Sequence, residues 1–410
     1  MYFGDSSSFF KRGTFRFRLV CRRWDKAAVE FPRLWVRWPP CAVGAWPLFS
    51  ARSKGAPLYL TWRPICATRA SEHTPLDPAI PGRVRELDFS GGTNEALEDL
   101  LGAFDSSRPS EASSIRVRIT PYDERAGRKH TTDFFSMSFP KLSNLNLENF
   151  LPDFSSPVFT TSNLISLKLA IPHGKKSRCN RSQFSQILQH HPNLQELHLR
   201  GGGIPQVESS GPSAPFVLPR LADLQLDGTM AMIAGFMDLV GTSSPLHNII
   251  INFEFTRAPS VSRLAGIVKK ILTSYYECQG LDCPRKADQL TIVSDSADGY
   301  VVFKAKSEST SASHSESDLR LRFSKAGATL VEKICLVFPL DDVREFNVVG
   351  LDLPRIKYRR ILRKMGDLSH LWLDHLDLGP VLGALSFDHK LEGKHEKFQE
   401  PTLGHSYVRR

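Results

Sequence analysis

No segment of this 410-residue chain approaches the run of ~18 apolar residues that a membrane-spanning helix needs, so no membrane partner is expected. No secretory leader is expected either, because Lys11, Arg12, Arg16 and Arg18 interrupt every early apolar stretch. The seven cysteines are scattered, odd in number and contain no CxxC pair, which excludes a disulfide framework and a zinc ribbon. A reducing compartment, cytoplasmic or nuclear, follows as the expectation. Catalytic signatures are equally scarce. There is no HExxH and no GxSxG. Gly174-Lys175-Lys176-Ser177 lacks the upstream glycine of a phosphate loop, whose place Leu169 takes, and Gly201-Gly202-Gly203 lacks dinucleotide-site spacing. The chain is therefore not expected to be an enzyme, and no catalytic residue, metal site or cofactor is assigned.

What is present is unevenly distributed. Residues 1–70 hold 13 Lys+Arg against 3 Asp+Glu, and the remaining residues hold 40 of each, so the whole net charge of +10 sits in the head. Five of the six tryptophans lie there as well: Trp24, Trp35, Trp38, Trp46 and Trp62. The chain reads as a basic, Trp-rich head on an electrically balanced body.

The body carries a recurring hexamer. It is an aliphatic residue, two variable residues, then two aliphatic or aromatic residues flanking one outward position. Good copies begin at Val84, Leu142, Leu164, Leu194, Leu221 and Leu368. Weaker ones span Ile115–Ile119, Leu246–Ile251, Leu290–Val293, Leu319–Phe323 and Ile334–Phe338. Four neighbouring copies are spaced by 22, 30 and 27 residues, which suits the LxxLxL signature of leucine-rich repeats. In each copy the paired apolar residues point inward along a short strand and the residue between them points out. Between copies, helix-period apolar faces supply a return path: Ala96, Leu97, Leu100, Leu101 and Phe104; Phe184, Ile187 and Leu188; Met232, Ile233, Phe236, Met237 and Val240; and Val261 through Leu272. The expected fold is α/β, an irregular leucine-rich-repeat solenoid (horseshoe) over 81–388; an ordinary α/β domain with leucine-rich strands is the alternative. Loop insertions are expected at 204–215 and 304–318 and a flexible tail at 389–410. The outward positions Asp88, Asn146, Lys168, His198, Gln225 and Trp372 would line the concave face and hold a partner, with Trp372 as the aromatic anchor.

In the head, Leu19, Val20, Trp24, Ala27, Ala28 and Phe31 share one helical face, which Pro32 terminates. Leu-Val-Cys-Arg-Arg-Trp at 19–24, followed by Phe31-Pro32-Arg33-Leu34-Trp35, resembles the C-terminal half of an F-box. The stretch Arg52-Ser53-Lys54-Gly55-Ala56-Pro57-Leu58 is similar to one that follows the F-box in a large fungal family of F-box proteins with irregular leucine-rich repeats. Met1–Arg18 contains no Leu-Pro opening, so 1–40 reads as a helical F-box remnant lacking its N-terminal half, and 41–80 as a linker or cap.

The resemblance implies the substrate receptor of a Skp–cullin–F-box ubiquitin ligase. Leu19, Val20 and Trp24 would then face the Skp-type adaptor, and Phe31, Pro32, Leu34 and Trp35 would close the F-box core or join it to the linker. For Leu34 and Trp35, core packing is the preferred assignment. The partners implied are the adaptor, a cullin scaffold and a protein substrate. Two other readings compete: a repeat scaffold without a ubiquitin role and, ranked lower, a nucleic-acid binder using the basic head.

Overall fold

The computed structural model describes residues 21–38, 46–62, 80–92, 97, 100, 111–119, 139–150, 152–160, 163–171, 181–204, 216–242, 246–255, 260–276, 287–295, 300–307, 317–324, 326–374, 378–385 and 402–403. They fall in two compact units, Met1–Leu194 and Gln195–Arg410. Both are α/β with mostly parallel strand pairing.

In the first unit, β1 (Arg37–Trp38), β2 (Leu58–Trp62), β3 (Val84–Gly92), β4 (Ser114–Ile119), β5 (Asn144–Glu148) and β6 (Ser166–Ile171) lie side by side in chain order, all parallel. The alternation read from sequence fixes which side faces in. Leu145, Leu147, Leu167 and Leu169 are at most 1% exposed, and the leading Leu142 and Leu164 are fully buried. Each copy is also stitched to the next before its strand begins. The Ser113 carbonyl accepts the N–H groups of Ser143 (2.9 Å) and Asn144 (3.1 Å), and the Ser143 carbonyl accepts those of Ile165 (2.7 Å) and Ser166 (2.9 Å). The second and third positions of the hexamer thus have a fixed backbone job, which is why their side chains can vary. Leu97 and Leu100 are helical and buried, as the return-path pattern expects; the other members of that face lie outside the described residues.

The head is built into this unit. It contains α1 (Arg22–Glu30), a single 3-10 turn at Pro32–Leu34, and α2 (Trp46–Ser53). Trp35 is buried edge-on to Phe49, with ring centroids 5.2 Å apart. Ser53 is fully buried and, with the Ala56 carbonyl, accepts hydrogen bonds from the Arg83 guanidinium. Lys54 (φ 46°) and Gly55 (φ 79°) turn the chain into β2. Within 41–80, read as a linker or cap, α2 and β2 are regular elements, β1 from the head pairs with β2, and 41–45 and 63–79 lie outside the described residues. Alternating burial in Leu58–Trp62 makes that segment a sheet strand, not a connector. After β6, α3 (Arg181–His190) buries Phe184, Ile187 and Leu188.

The second unit continues the same logic and then breaks it. Its strands are β7 (Glu196–Gly201), β8 (Phe216–Leu218), β9 (Asp223–Thr229), β10 (Val240–Thr242), β11 (Asn248–Glu254), β12 (Gln289–Asp295), β13 (Tyr300–Ser307), β14 (Ser317–Ser324), β15 (Glu345–Val349), β16 (His370–Asp374) and β17 (Thr402–Leu403). β8 and β10 form a separate parallel pair; the rest are ordered β7-β9-β11-β14-β13-β12-β15-β16-β17. The carbonyl stitch recurs: Gln195 accepts Ala222 and Asp223, Ala222 accepts His247 and Asn248, Asp288 accepts Arg344 and Glu345, and Arg344 accepts Ser369 and His370, all within 2.8–3.1 Å.

The antiparallel hairpin β13–β14 is wedged between β11 and β12. The bounds of the loop expected at 304–318 are corrected: Lys304–Ser307 and Ser317–Asp318 are strand, and 308–316 lie outside the described residues. Its polar composition misled, because the open face of the hairpin is charged while Val301, Phe303, Ala305, Leu319, Leu321 and Phe323 alternate inward and are at most 3% exposed. Ile334–Phe338 is not a strand either; it ends α6 (Ala328–Cys335), a helix whose buried Leu330, Val331 and Ile334 follow helical spacing. At the other expected insertion, Ile204 is fully buried, and 205–215 lie outside the described residues. In the tail, Thr402 and Leu403 pair with His370 and Leu371.

The remaining helices are α4 (Met230–Leu239), α5 (Val261–Tyr276), α7 (Arg355–Leu362) and α8 (Leu378–Leu385). An ion pair joins Lys270 of α5 to Asp238 of α4. Between α6 and α7, buried Glu332 takes Arg360 at 2.9 Å and Lys357 at 3.7 Å.

One backbone detail repeats in both units. Positive φ recurs at or just past the C-terminal ends of strands, at Gly91 (85°), Asn149 (58°), Gly201 (58°) and Gly350 (63°). Each stands three residues beyond an outward position: Asp88, Asn146, His198 and Asn347 respectively. Glycine and asparagine are the residues that adopt this conformation at least cost. The Asn149 side chain adds a bond to the Ile119 carbonyl at 3.0 Å. At Gly350 a Cβ would stand 2.6 Å from the Ser294 carbonyl oxygen, so glycine is required there.

Candidate protein-binding surface

Strand register decides which outward side chains are neighbours. In the first unit it aligns Thr61, Asp88, Arg116, Asn146 and Lys168 in a single row. Three of these, Asp88, Asn146 and Lys168, were singled out by the hexamer. Thr61 and Arg116 were missed, although each sits between two inward residues in the same way. All except the exposed Arg116 are half-buried, as expected for the open face of a pleated sheet. Asp88 Oδ1 has no hydrogen-bond partner among the described residues. Beside this row, Arg118 and Glu148 pair across β4 and β5 at 2.5 Å. At the strand entrances Glu111 binds Lys141 and Arg85, and the Lys141 hydrogen bond above all holds its carboxyl below the ordinary range.

In the second unit the corresponding row is His198, Gln225, Ile250, Arg320, Lys304, Thr291, Asn347 and Trp372. His198 and Gln225 are neighbours. Trp372 stands six strands from Gln225, about 29 Å at ordinary strand spacing. The hexamer therefore identified the two ends of this row and missed its middle. Trp372 is 44% exposed, a large apolar side chain offered to solvent. Beside it Asn347 donates from Nδ2 to Thr291 Oγ1 at 3.2 Å, while its Oδ1 is buried with no hydrogen-bond partner among the described residues. In flanking rows, Arg200 pairs with Asp227 at 3.3 Å, Gln289 donates to Glu345 at 2.9 Å, and the Arg322 guanidinium lies 3.7 Å from the Tyr300 ring centroid.

The proposed head positions separate sharply. Leu19 and Val20 lie outside the described residues, as does the side chain of Trp24, whose backbone is in α1. Trp35 is buried, while Phe31 is 55% and Leu34 52% exposed. The packing expected for Leu34 is thus corrected: the 3-10 turn that Pro32 opens points Trp35 inward and leaves Leu34 outside. Several described cations of the head are engaged locally. Lys26 is 3.9 Å from Glu30, Arg37 lies over Tyr59 at 5.6 Å and Arg52 over Trp35 at 4.4 Å.

Among the described residues no cluster of three or more His, Cys, Asp and Glu could hold a metal ion, and no helix is long and apolar enough to cross a membrane. Burial raises the Cys335 thiol far above its ordinary value, which keeps it protonated. The two rows together hold hydrogen-bond donors and acceptors, cations and one aromatic ring, Trp372. No protein-family model and no curated protein matches the chain.

Proposed function

We propose that this chain is a protein-binding receptor, the F-box-type subunit of a Skp–cullin–F-box ubiquitin ligase, in which an irregular leucine-rich-repeat solenoid holds the protein to be modified. One observation carries the reading. Residues marked by the hexamer fall into one register row in each unit, opposite a leucine core and followed at several strands by a left-handed Gly or Asn. Such a face offers side chains at fixed spacing, as a receptor requires when the chemistry belongs to partner subunits. The exposed Phe31 and Leu34, at the end of an amphipathic α1, give the head an apolar surface for the adaptor.

Affinity capture of the full chain on a purified Skp-type adaptor tests this. The adaptor is expected to retain the chain, and Phe31→Asp with Leu34→Asp to release it without altering thermal stability, since both side chains are exposed. A chain that the adaptor does not retain overturns the ligase reading. The second reading, a repeat scaffold with no ubiquitin role, has its own support. The Arg52–Leu58 stretch turns its polar groups inward, on Trp35 and Arg83, and β1 is absorbed into the sheet. Protein binding without adaptor binding would favour it.

A further inference from the structure

The head carries the chain's charge surplus, and part of it is concentrated on α1 and the turn that follows. Between Cys21 and Trp38 stand five cations, Arg22, Arg23, Lys26, Arg33 and Arg37, against two carboxylates, Asp25 and Glu30. Arg22, Arg23, Lys26 and Arg33 are all exposed. Lys26 and Glu30 stand 3.9 Å apart with 78% and 62% of their side chains exposed, so water weakens that pair and the patch stays positive. The nine residues of α1 span about 14 Å, which keeps its cations close to the turn. That turn builds an apolar knob. The Leu34 N–H donates to the Phe31 carbonyl at 3.1 Å and the Trp35 N–H to the Pro32 carbonyl at 3.0 Å, closing a single 3-10 turn. Residues three apart in such a turn lie above one another, so Phe31 and Leu34, 55% and 52% exposed, share a side. Pro32 fixes its own backbone angle, and Trp35, buried against Phe49, braces the base. A knob held in this way needs little further ordering when a partner covers it.

We propose that the head docks a protein surface in which an apolar socket is rimmed by carboxylates: the socket takes Phe31 and Leu34, and the rim meets Arg22, Arg23, Lys26 and Arg33. The inference rests on the receptor reading given above and gives the adaptor interface a charge as well as an apolar centre. The occupant follows from complementarity. A braced knob of two apolar side chains calls for a pocket, which a folded protein supplies and an extended nucleic acid does not. The exposed cations around it call for carboxylates, which the planar forks of three arginines match in pairs of hydrogen bonds. Exposed charges at the rim of an interface govern how fast partners meet and which partner is accepted, while the buried apolar centre governs how slowly they part.

Biolayer interferometry of the full chain over an immobilised, purified Skp-type adaptor tests this. The association rate constant is expected to fall about tenfold or more between about 50 and 500 mM salt. A chain carrying Arg22→Glu, Arg23→Glu and Arg33→Glu should associate about tenfold or more slowly at low salt, with a dissociation rate within about threefold of wild type. Leu34→Ala should do the reverse, leaving association unchanged and speeding dissociation about tenfold. All four positions are exposed, so melting temperatures should stay within about 2 °C of wild type. Salt-independent association, or a charge-reversed chain that associates as fast as wild type, would overturn the proposal. Tighter binding of phosphatidylserine vesicles or of a single-stranded oligonucleotide, lost with the same substitutions, would do so as well. An adaptor that does not bind removes the ligase reading alone. The acidic-socket claim is then decided by fluorescence anisotropy of a labelled peptide alternating Glu with Leu and Phe. It should bind the wild-type chain about tenfold more tightly than its Gln counterpart does, a preference lost in the charge-reversed chain. Equal binding of the two peptides sinks the socket claim.

Discussion

The first unit lays its strands down in chain order, all parallel, whereas the second interrupts the same scheme with an antiparallel hairpin. Where strand order equals chain order, one hexamer identifies core, open face and register together. Where the order departs from it, the core remains recognisable from alternation and the neighbours do not. The difference also shows on the open face, where register sets Arg118 beside Glu148 in the regular unit and Lys304 opposite Arg320 in the hairpin.

The sharpest way to break this comparison is through the cores. Phe303→Ala empties a fully buried position on the hairpin that meets Phe323 at 5.6 Å and Phe338 at 5.9 Å, and should cost about 3–5 kcal/mol in urea denaturation. Leu167→Ala in the regular unit should cost about 2–4 kcal/mol. A negligible loss for Phe303→Ala would mean that the hairpin is not part of a packed sheet. The left-handed positions come next. Gly350→Ala meets both the positive φ and the Ser294 carbonyl, and about 2–3 kcal/mol of destabilisation is expected. Asn149→Ala should lose about 1–2 kcal/mol, with Asn149→Gly recovering the backbone share but not the bond to Ile119.

The smallest effect concerns pH. Tyr358 donates its hydroxyl to the Leu351 carbonyl at 2.7 Å, and burial, aided by Asp352, raises its pKa from 10.0 to about 12. A raised folded-state value stabilises fully below pH 10 and is lost as pH climbs toward 12, because the unfolded chain ionises first. Stability of the wild-type chain should fall across that window, and the fall should be shallower in Tyr358→Phe, as followed by circular dichroism.

Much of the fold was legible because buried leucine pairs leave a two-residue period that no helix mimics. Leu145 with Leu147 and Leu197 with Leu199 mark their strands unaided. One half of the hairpin was hidden by composition: Lys304 and Lys306 open a polar segment, so the end of a strand with one buried face resembled a loop, whereas Leu319–Phe323 was marked by a weak copy of the hexamer. The site was legible at Asp88, Asn146, Lys168, His198, Gln225 and Trp372 because each interrupts an apolar pair. Thr291 and Asn347 do so too, but nothing local to their segments tells which strands flank them; that depends on a crossover skipping two positions in the sheet. In the head, Trp35 and Leu34 are adjacent and both apolar, and only the turn geometry sends one in and the other out.

The hairpin also introduces two antiparallel seams, β14 with β13 and β13 with β12, while β14 remains parallel to β11 and β12 to β15. Two reversals cancel. Beyond the interruption every strand runs in the direction it would have had without it, and the carbonyl of Asp288 meets the next copy as though none had occurred. A segment of this parity is a cassette: it can be exchanged for another hairpin, or removed with a short closing turn, without inverting the polarity of anything downstream. The outward side chains of such a cassette can change while the strands on either side keep their directions.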